Sequence, residues 1–165
     1  MGEKLTKADV DKIQQEIDHR KLDLRPELIA AVKEARAQGD LSENFEYYAA
    51  KREKNRNESR ISYLERMLKY ATVIEDHADR DQAGLNKVVE VLFLDENEKD
   101  SFKIVTPIRG DTMKNRISIE SPFGKALLGH RAGDTVHVAT EQGGGYDLKI
   151  LSIREDSTDD DIRSF

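Results

Sequence analysis

The run ARAQGDLSENFEYYAAK, residues 35–51, decides how the rest of the chain is read. Upstream of it, Val10, Ile13, Ile17, Leu24, Leu28, Ala31 and Ala35 recur mostly at spacings of three, four and seven, which is the signature of a helix with one apolar face. Downstream, Ile61, Leu64, Leu68 and Ala71 extend a second helix to about Ile74. Gly39 suits the end of the first helix, and Ser42, followed by Phe45 and Glu46, suits the cap of the second. Two long helices joined by so few residues must run antiparallel. Facing residues should then have numbers summing to about 82, with Ile17 opposite Leu64 or Glu65 and Val10 opposite Ala71. At a rise of 1.5 Å per residue, roughly thirty residues make a rod of about 45 Å. Pro26 interrupts the first helix, because it lacks an amide proton and crowds the preceding turn; a kink or local break is expected near Leu24 and Arg25.

After about Asp76 the periodicity changes from that of a helix to that of a strand. Val89, Val91 and Phe93, then Phe102 and Ile104, Ile117 and Ile119, Val136 and Val138, and Leu148 and Ile150 all alternate with period two. The clusters Asp95-Glu96-Asn97-Glu98, Gly133-Asp134 and Gly143-Gly144-Gly145 supply turns between them, as in an antiparallel sheet. One short helix interrupts the strands, with Ser121 as its cap, Pro122 at its first position and Gly129 closing it. The fold class is therefore α+β: a long antiparallel hairpin over residues 1–76, a linker at 77–86, a small antiparallel sheet domain with one helix at 87–154, and an acidic tail at 155–165.

The composition narrows the function classes. A formal net charge of -6 argues against a general duplex-DNA binder, which needs a basic footprint to neutralise phosphates. Cysteine is absent, so disulfides, thiolate catalysis and cysteine-based zinc sites are excluded. The four histidines show no paired ligand spacing. No apolar run reaches membrane-spanning length and the charged start MGEKLTKADV has no signal-peptide core, so a cytoplasmic protein without a membrane partner is expected. Glu155, Asp156, Asp159, Asp160 and Asp161 crowd the last residues, where a frayed, solvated end is expected.

The candidate chemistry lies at the bend. Asp40, Glu43 and Glu46 stand within seven residues, and the first two are three apart across a loop-to-helix junction, so their oxygens can converge on a hard cation such as Mg²⁺. Two exposed carboxylates hold that ion weakly, and a partner must complete the shell. On spacing alone a plainer role is the commoner one: Asp40 caps a turn and Glu43 complements the positive start of a helix. Lys33, Arg36, Lys51, Arg52, Lys54, Arg56 and Arg60 form a basic stretch behind the bend, with Arg52, Arg56 and Arg60 on one face. Such a strip can follow single-stranded nucleic acid, with Tyr47 or Tyr48 stacking on a base; it also reads as an ordinary solvated face with Glu53 and Glu58 interleaved.

The segment from Ala35 to Ile61 resembles the signature of the Gre family of bacterial transcript-cleavage factors, and ISIESPFGKALLGHRAGD, residues 117–134, is similar to the family's second motif. The likeness covers nearly the whole chain and is greatest to the GreA branch. It implies an N-terminal coiled coil, a C-terminal domain of FKBP-like fold, and a monomer that works in the secondary channel of bacterial RNA polymerase. It further implies that Asp40 and Glu43 help hold a catalytic Mg²⁺ shared with the polymerase. Asn44 and Glu46 would organise the loop, Arg36, Tyr47, Lys51 and Arg52 would approach the nascent RNA 3′ end, and Ser121, Pro122 and Phe123 would dock on the polymerase. The implied activity belongs to the polymerase, whose cleavage of backtracked RNA the factor stimulates; the alternative is a factor that occupies the channel without stimulating cleavage. Phe45, Tyr48, Asn57-Glu58-Ser59 and Gly124 depart from the usual family pattern.

Overall fold

The computed structural model describes residues 2–39 and 44–164; Asp40, Leu41, Ser42 and Glu43 lie outside the described residues, as do Met1 and Phe165. The chain divides into two compact units, Met1–Val73 and Ile74–Phe165.

The first unit is a helical hairpin closed at its base by a two-stranded ribbon. Strand β1 (Lys4–Leu5) leads into α1 (Lys7–His19), whose start is a reciprocal cap: Asp9 N donates to Thr6 Oγ1 at 3.2 Å and Thr6 N donates to the Asp9 carboxylate at 2.9 Å. The expected break before Pro26 is a π-helical segment, Arg20–Leu24, that runs without interruption into α2 (Arg25–Ala37). The Arg25 amide reaches back five residues to the Arg20 carbonyl, so the wider turn accommodates the amide that Pro26 lacks. A π turn holds more residues than an α turn, and the inward face slips by about one position. Val32 is accordingly half-buried, whereas Ala31, expected in the seam, is exposed.

Helix α3 (Phe45–Tyr70) begins with Asn44 as its cap, one residue before Phe45. The helix stops at Tyr70, short of the expected Ile74, because extended Ala71 turns the chain into β2 (Thr72–Val73), which pairs parallel with β1. Ile13, Ile17 and Ala35 on the first arm and Tyr47, Ile61, Leu64 and Met67 on the second are buried in the hairpin.

A polar clasp interrupts this seam beside the π turn. The Glu16 carboxylate accepts from Arg20 Nε at 2.8 Å and from Arg60 Nε at 2.8 Å, while Asn57 accepts from Arg20 Nη1 at 2.9 Å and donates to the Arg20 carbonyl at 3.1 Å. Glu58 takes two bonds of 2.8 Å from Arg25. Burial works to raise the pKa of Glu16, but the bonds and charges of Arg60 and Arg20 outweigh it and hold the carboxyl below its ordinary 4.5. A depressed carboxyl adds stability above its unfolded-state pKa and loses it as pH falls through the folded value. Helical melting followed by circular dichroism should therefore show the hairpin weakening below about pH 4.5, and Glu16→Gln should flatten that dependence.

The second unit is a five-stranded sheet of order β5-β4-β3-β7-β6, built from β3 (Lys87–Phe93), β4 (Glu98–Val105), β5 (Arg116–Ser118), β6 (Thr135–Ala139) and β7 (Gly145–Glu155). Three of its pairings are antiparallel, but β4 and β5 run parallel, which corrects the expectation of a purely antiparallel sheet. Two 3₁₀ turns, Pro107–Arg109 and Thr112–Lys114, carry the chain back to the side on which β4 begins its last residues, so β5 leaves in the same direction. Helix α4 (Pro122–Leu127) is capped by Ser121. Val89, Val91, Ile104, Val136, Val138, Leu148 and Ile150, on one period-two face of β3, β4, β6 and β7, form the core with Leu127 of α4 and Ala83.

The acidic tail is not a frayed end. Asp160 is 5% exposed and pairs with Lys103 and Arg116, Arg109 bonds Asp159 at 3.0 Å, and the Arg163 amide donates to the Ile108 carbonyl at 2.8 Å. Its charges face cations on β4, β5 and the 3₁₀ turns, and that neutralisation holds it against the sheet edge.

Candidate functional site

The two residues that flank the bend are fixed by opposite demands. Gly39 sits at φ +126, a conformation that side chains with a Cβ disfavour, immediately after α2 has ended at Ala37. Asn44 uses both ends of its amide: Oδ1 accepts from the Tyr47 amide at 3.0 Å, and Nδ2 donates to the Ala35 carbonyl at 2.6 Å. It thus caps a free donor of α3 and adds a second bond to the Ala35 carbonyl, which also accepts from the Gln38 amide at 3.3 Å, and so ties the last turn of α2 to the first turn of α3. Asp40 and Glu43 are carried between these anchors by the chain itself and lie outside the described residues. Glu46 is exposed in the first turn of α3, where a helix terminus favours a carboxylate, and Phe45 beside it is 85% exposed.

The basic residues divide into two groups. Arg36, Lys51 and Arg52 are exposed near the bend. Arg60 is 5% exposed, bound to Glu16 and stacked over Tyr63 at 5.5 Å, so the basic strip ends at Arg56 and the expectation of a shared face with Arg52 and Arg56 is corrected. A charged residue at a seam position is drawn inward when an opposite charge awaits it there.

Tyr47 also differs from expectation. Its ring is 8% exposed, with Arg36 at 5.6 Å and Lys51 at 6.0 Å from its centroid, and Arg36 donates to its hydroxyl at 3.4 Å. That bond, with the neighbouring positive charges, holds the phenol below its ordinary pKa. Buried in this way it is closed to base stacking and instead orients two cations; Tyr48, packed edge-on at 5.4 Å, is the open ring.

In the second unit, Ser121 Oγ accepts from the Gly124 amide at 3.0 Å and donates to the Ser118 carbonyl at 2.7 Å, locking the segment before α4 onto β5. A Cβ at Gly124 would meet the Ser118 carbonyl oxygen at 2.1 Å, so the close approach requires glycine there. Pro122 opens the helix and Phe123 enters an aromatic cluster, 4.8 Å from Phe102, 6.3 Å from Phe93 and 6.4 Å from Tyr146. These four rings are residues that the sequence offers for an aromatic pocket in this half, and the fold brings them together. Phe93 and Tyr146 continue into a cavity of about 290 Å³ rimmed by Asp95, Glu98, Asp100 and Asp147.

Among the described residues no group of three or more histidines and carboxylates could hold a metal ion, and no helix is long and apolar enough to cross a membrane. Asp40 and Glu43, the expected Mg²⁺ ligands, lie outside the described residues.

The comparisons with known proteins cover both units. Residues 3–73 match the family described as "Transcription elongation factor, N-terminal", and residues 77–155 match "Transcription elongation factor, GreA/GreB, C-term". The chain belongs to the GreA/GreB family of transcription elongation factors. Transcription elongation factor GreA of Macrococcus caseolyticus is 40% identical over 90% of this chain and 94% of its own length. The GreA of Streptococcus gordonii is 40% identical over 92% and 94%, and that of Thermotoga neapolitana 42% over 85% and 90%. Among solved structures, GreA factor homolog 1 of Thermus thermophilus superposes with a TM-score of 0.44 at 31% identity, covering 93% of this chain and 99% of that one.

Proposed function

We propose that this elongation factor enters the secondary channel of bacterial RNA polymerase and stimulates Mg²⁺-dependent endonucleolytic cleavage of backtracked nascent RNA. The observation that supports the reading is the Asn44 bridge: it ties the end of α2 to the start of α3, the two helices that the acidic run Asp40 to Glu43 connects in sequence. Asp40 and Glu43 would hold the Mg²⁺ together with carboxylates of the polymerase. When bound, that ion lowers the pKa of a water and stabilises charge on the scissile phosphate. Arg36, Lys51 and Arg52, kept exposed behind the turn, would draw the displaced RNA 3′ end by charge, with Tyr48 as the available stacking surface.

Docking falls to the second unit, which we read as FKBP-like. Ser121 and Pro122 fix the segment and Phe123 supplies the apolar contact, with Phe93, Phe102 and Tyr146 around it. Half-exposed aromatic clusters of this kind are common anchors of protein interfaces. Phe123→Ala should weaken polymerase binding by about tenfold or more, measured by competition with a labelled wild-type chain, and should leave the helical spectrum of the hairpin unchanged.

The test is direct. Stalled, backtracked polymerase complexes with labelled RNA 3′ ends are mixed with the protein and Mg²⁺, and release of the short 3′ fragment is timed. Faster release than by polymerase alone is expected. Binding accompanied by slowed nucleotide addition and no faster release would instead make the chain a channel-occupying regulator.

A further inference from the structure

The family match ends at residue 155, yet the chain beyond it is held on the second unit by a row of ion pairs. Lys103 and Arg109 are nearly buried, an uncommon state for either residue, and both turn toward the tail. Lys103 and Arg116 converge on Asp160, Arg109 reaches Asp159 at 3.0 Å, and Lys114 approaches Asp161 at 3.8 Å. Without an acidic occupant these cations would lose the carboxylates that neutralise them, at a position where water is largely excluded.

The same surface also reads peptide backbone. Lys103 Nζ donates to the Thr158 carbonyl at 3.2 Å and Arg109 Nη1 donates to the Asp160 carbonyl at 2.8 Å. In the other direction, the Asp156 amide donates to the Asn86 carbonyl at 2.9 Å and the Arg163 amide to the Ile108 carbonyl at 2.8 Å. A polynucleotide backbone offers phosphates to the cations but has no amide N–H for the carbonyls of Asn86 and Ile108. The pattern of donors and acceptors therefore favours an acidic peptide over RNA.

We propose that Lys103, Arg109, Lys114 and Arg116, with the carbonyls of Asn86 and Ile108, form a binding site for acidic peptide segments, and that residues 156–163 are its resident ligand in cis. An acidic segment of a partner protein competes with the tail for this site. Because the tail is tethered, its effective concentration is high and the closed form dominates until the tail loses charge or the competitor is abundant.

The test uses the full chain and a fluorescein-labelled peptide of the sequence DSTDDDIRSF, residues 156–165. Fluorescence anisotropy compares wild type with Asp159→Asn/Asp160→Asn/Asp161→Asn, and with Asp160→Asn alone in case the triple change unsettles the sheet, which circular dichroism checks. The tail-neutralised chain should bind the peptide at least about tenfold more tightly than wild type. Adding Arg116→Gln, or replacing the peptide's three adjacent aspartates by asparagine, should weaken that binding by about tenfold or more. Absence of saturable binding to either folded variant would overturn the proposal. So would tighter binding of a ten-nucleotide single-stranded RNA than of the peptide to the tail-neutralised chain.

Discussion

Asp40→Ala should reduce stimulated RNA cleavage by about 100-fold or more, equivalent to about 2.7 kcal/mol of activation barrier, while polymerase binding changes less than about threefold. The asymmetry follows from the division of labour in the chain. In the proposed division Asp40 serves the metal, whereas Ser121, Pro122 and Phe123, which belong to the second unit, serve docking, so loss of the carboxylate should leave docking intact. Glu43→Ala should behave similarly. Glu46→Ala should have a smaller effect, because Glu46 stands on the first turn of α3 and acts through the field around the helix terminus. Asn44→Ala should fall between them: it removes a cap worth about 1 kcal/mol and also the tie to the Ala35 carbonyl, loosening both anchors of the turn. Fragment release from backtracked complexes, measured beside a binding competition, separates these effects.

The largest stability effect should come from Glu16→Ala. This change strips Arg60 and Arg20 of their shared carboxylate beside the π turn, and removal of one partner from a buried charged cluster costs about 3–5 kcal/mol. Glu16 retains some contact with solvent, which places the expectation near about 3 kcal/mol. Urea denaturation followed by helical circular dichroism should show the transition of the hairpin moving to lower denaturant. Hydrogen exchange at Val89 and Ile150, in the sheet core, should be unchanged. Glu16→Gln should cost less, since its amide oxygen still accepts from one of the two guanidinium groups.

The periodicities explain why so much of the fold was legible. Ile13, Ile17, Ile61 and Leu64 are buried as a helical repeat requires, and Val89, Val91, Leu148 and Ile150 as alternation requires, because local geometry alone decides which face such residues share. Pro26 announced an irregularity, and its loss of a donor placed the π turn just before it. What remained hidden depends on contacts distant in sequence. Arg60 reads as solvated from its own helix and becomes buried only because Glu16 waits on the other arm. Asp160 reads as a tail residue, and its burial depends on Lys103 and Arg116, which the fold brings together. Parallel pairing of β5 depends on the length and path of two 3₁₀ turns, which alternation does not encode.

At the candidate site, the aromatic residues were legible one by one, but their arrangement was not. Phe93, Phe102, Phe123 and Tyr146 come from four different elements, and only the sheet order places them side by side. The dual bond of Asn44 was equally inaccessible. A sequence shows that asparagine suits a cap, but not that the other end of its amide closes a neighbouring helix.

The most direct measurement is the Mg²⁺ dependence of RNA cleavage in backtracked complexes, with and without the protein. If Asp40 and Glu43 contribute oxygens to a shared ion, the half-saturating Mg²⁺ concentration should fall when wild type is added and should not fall with Asp40→Ala. An unchanged half-saturating concentration with wild type, or an equal fall with Asp40→Ala, would contradict the assignment of these carboxylates to the metal.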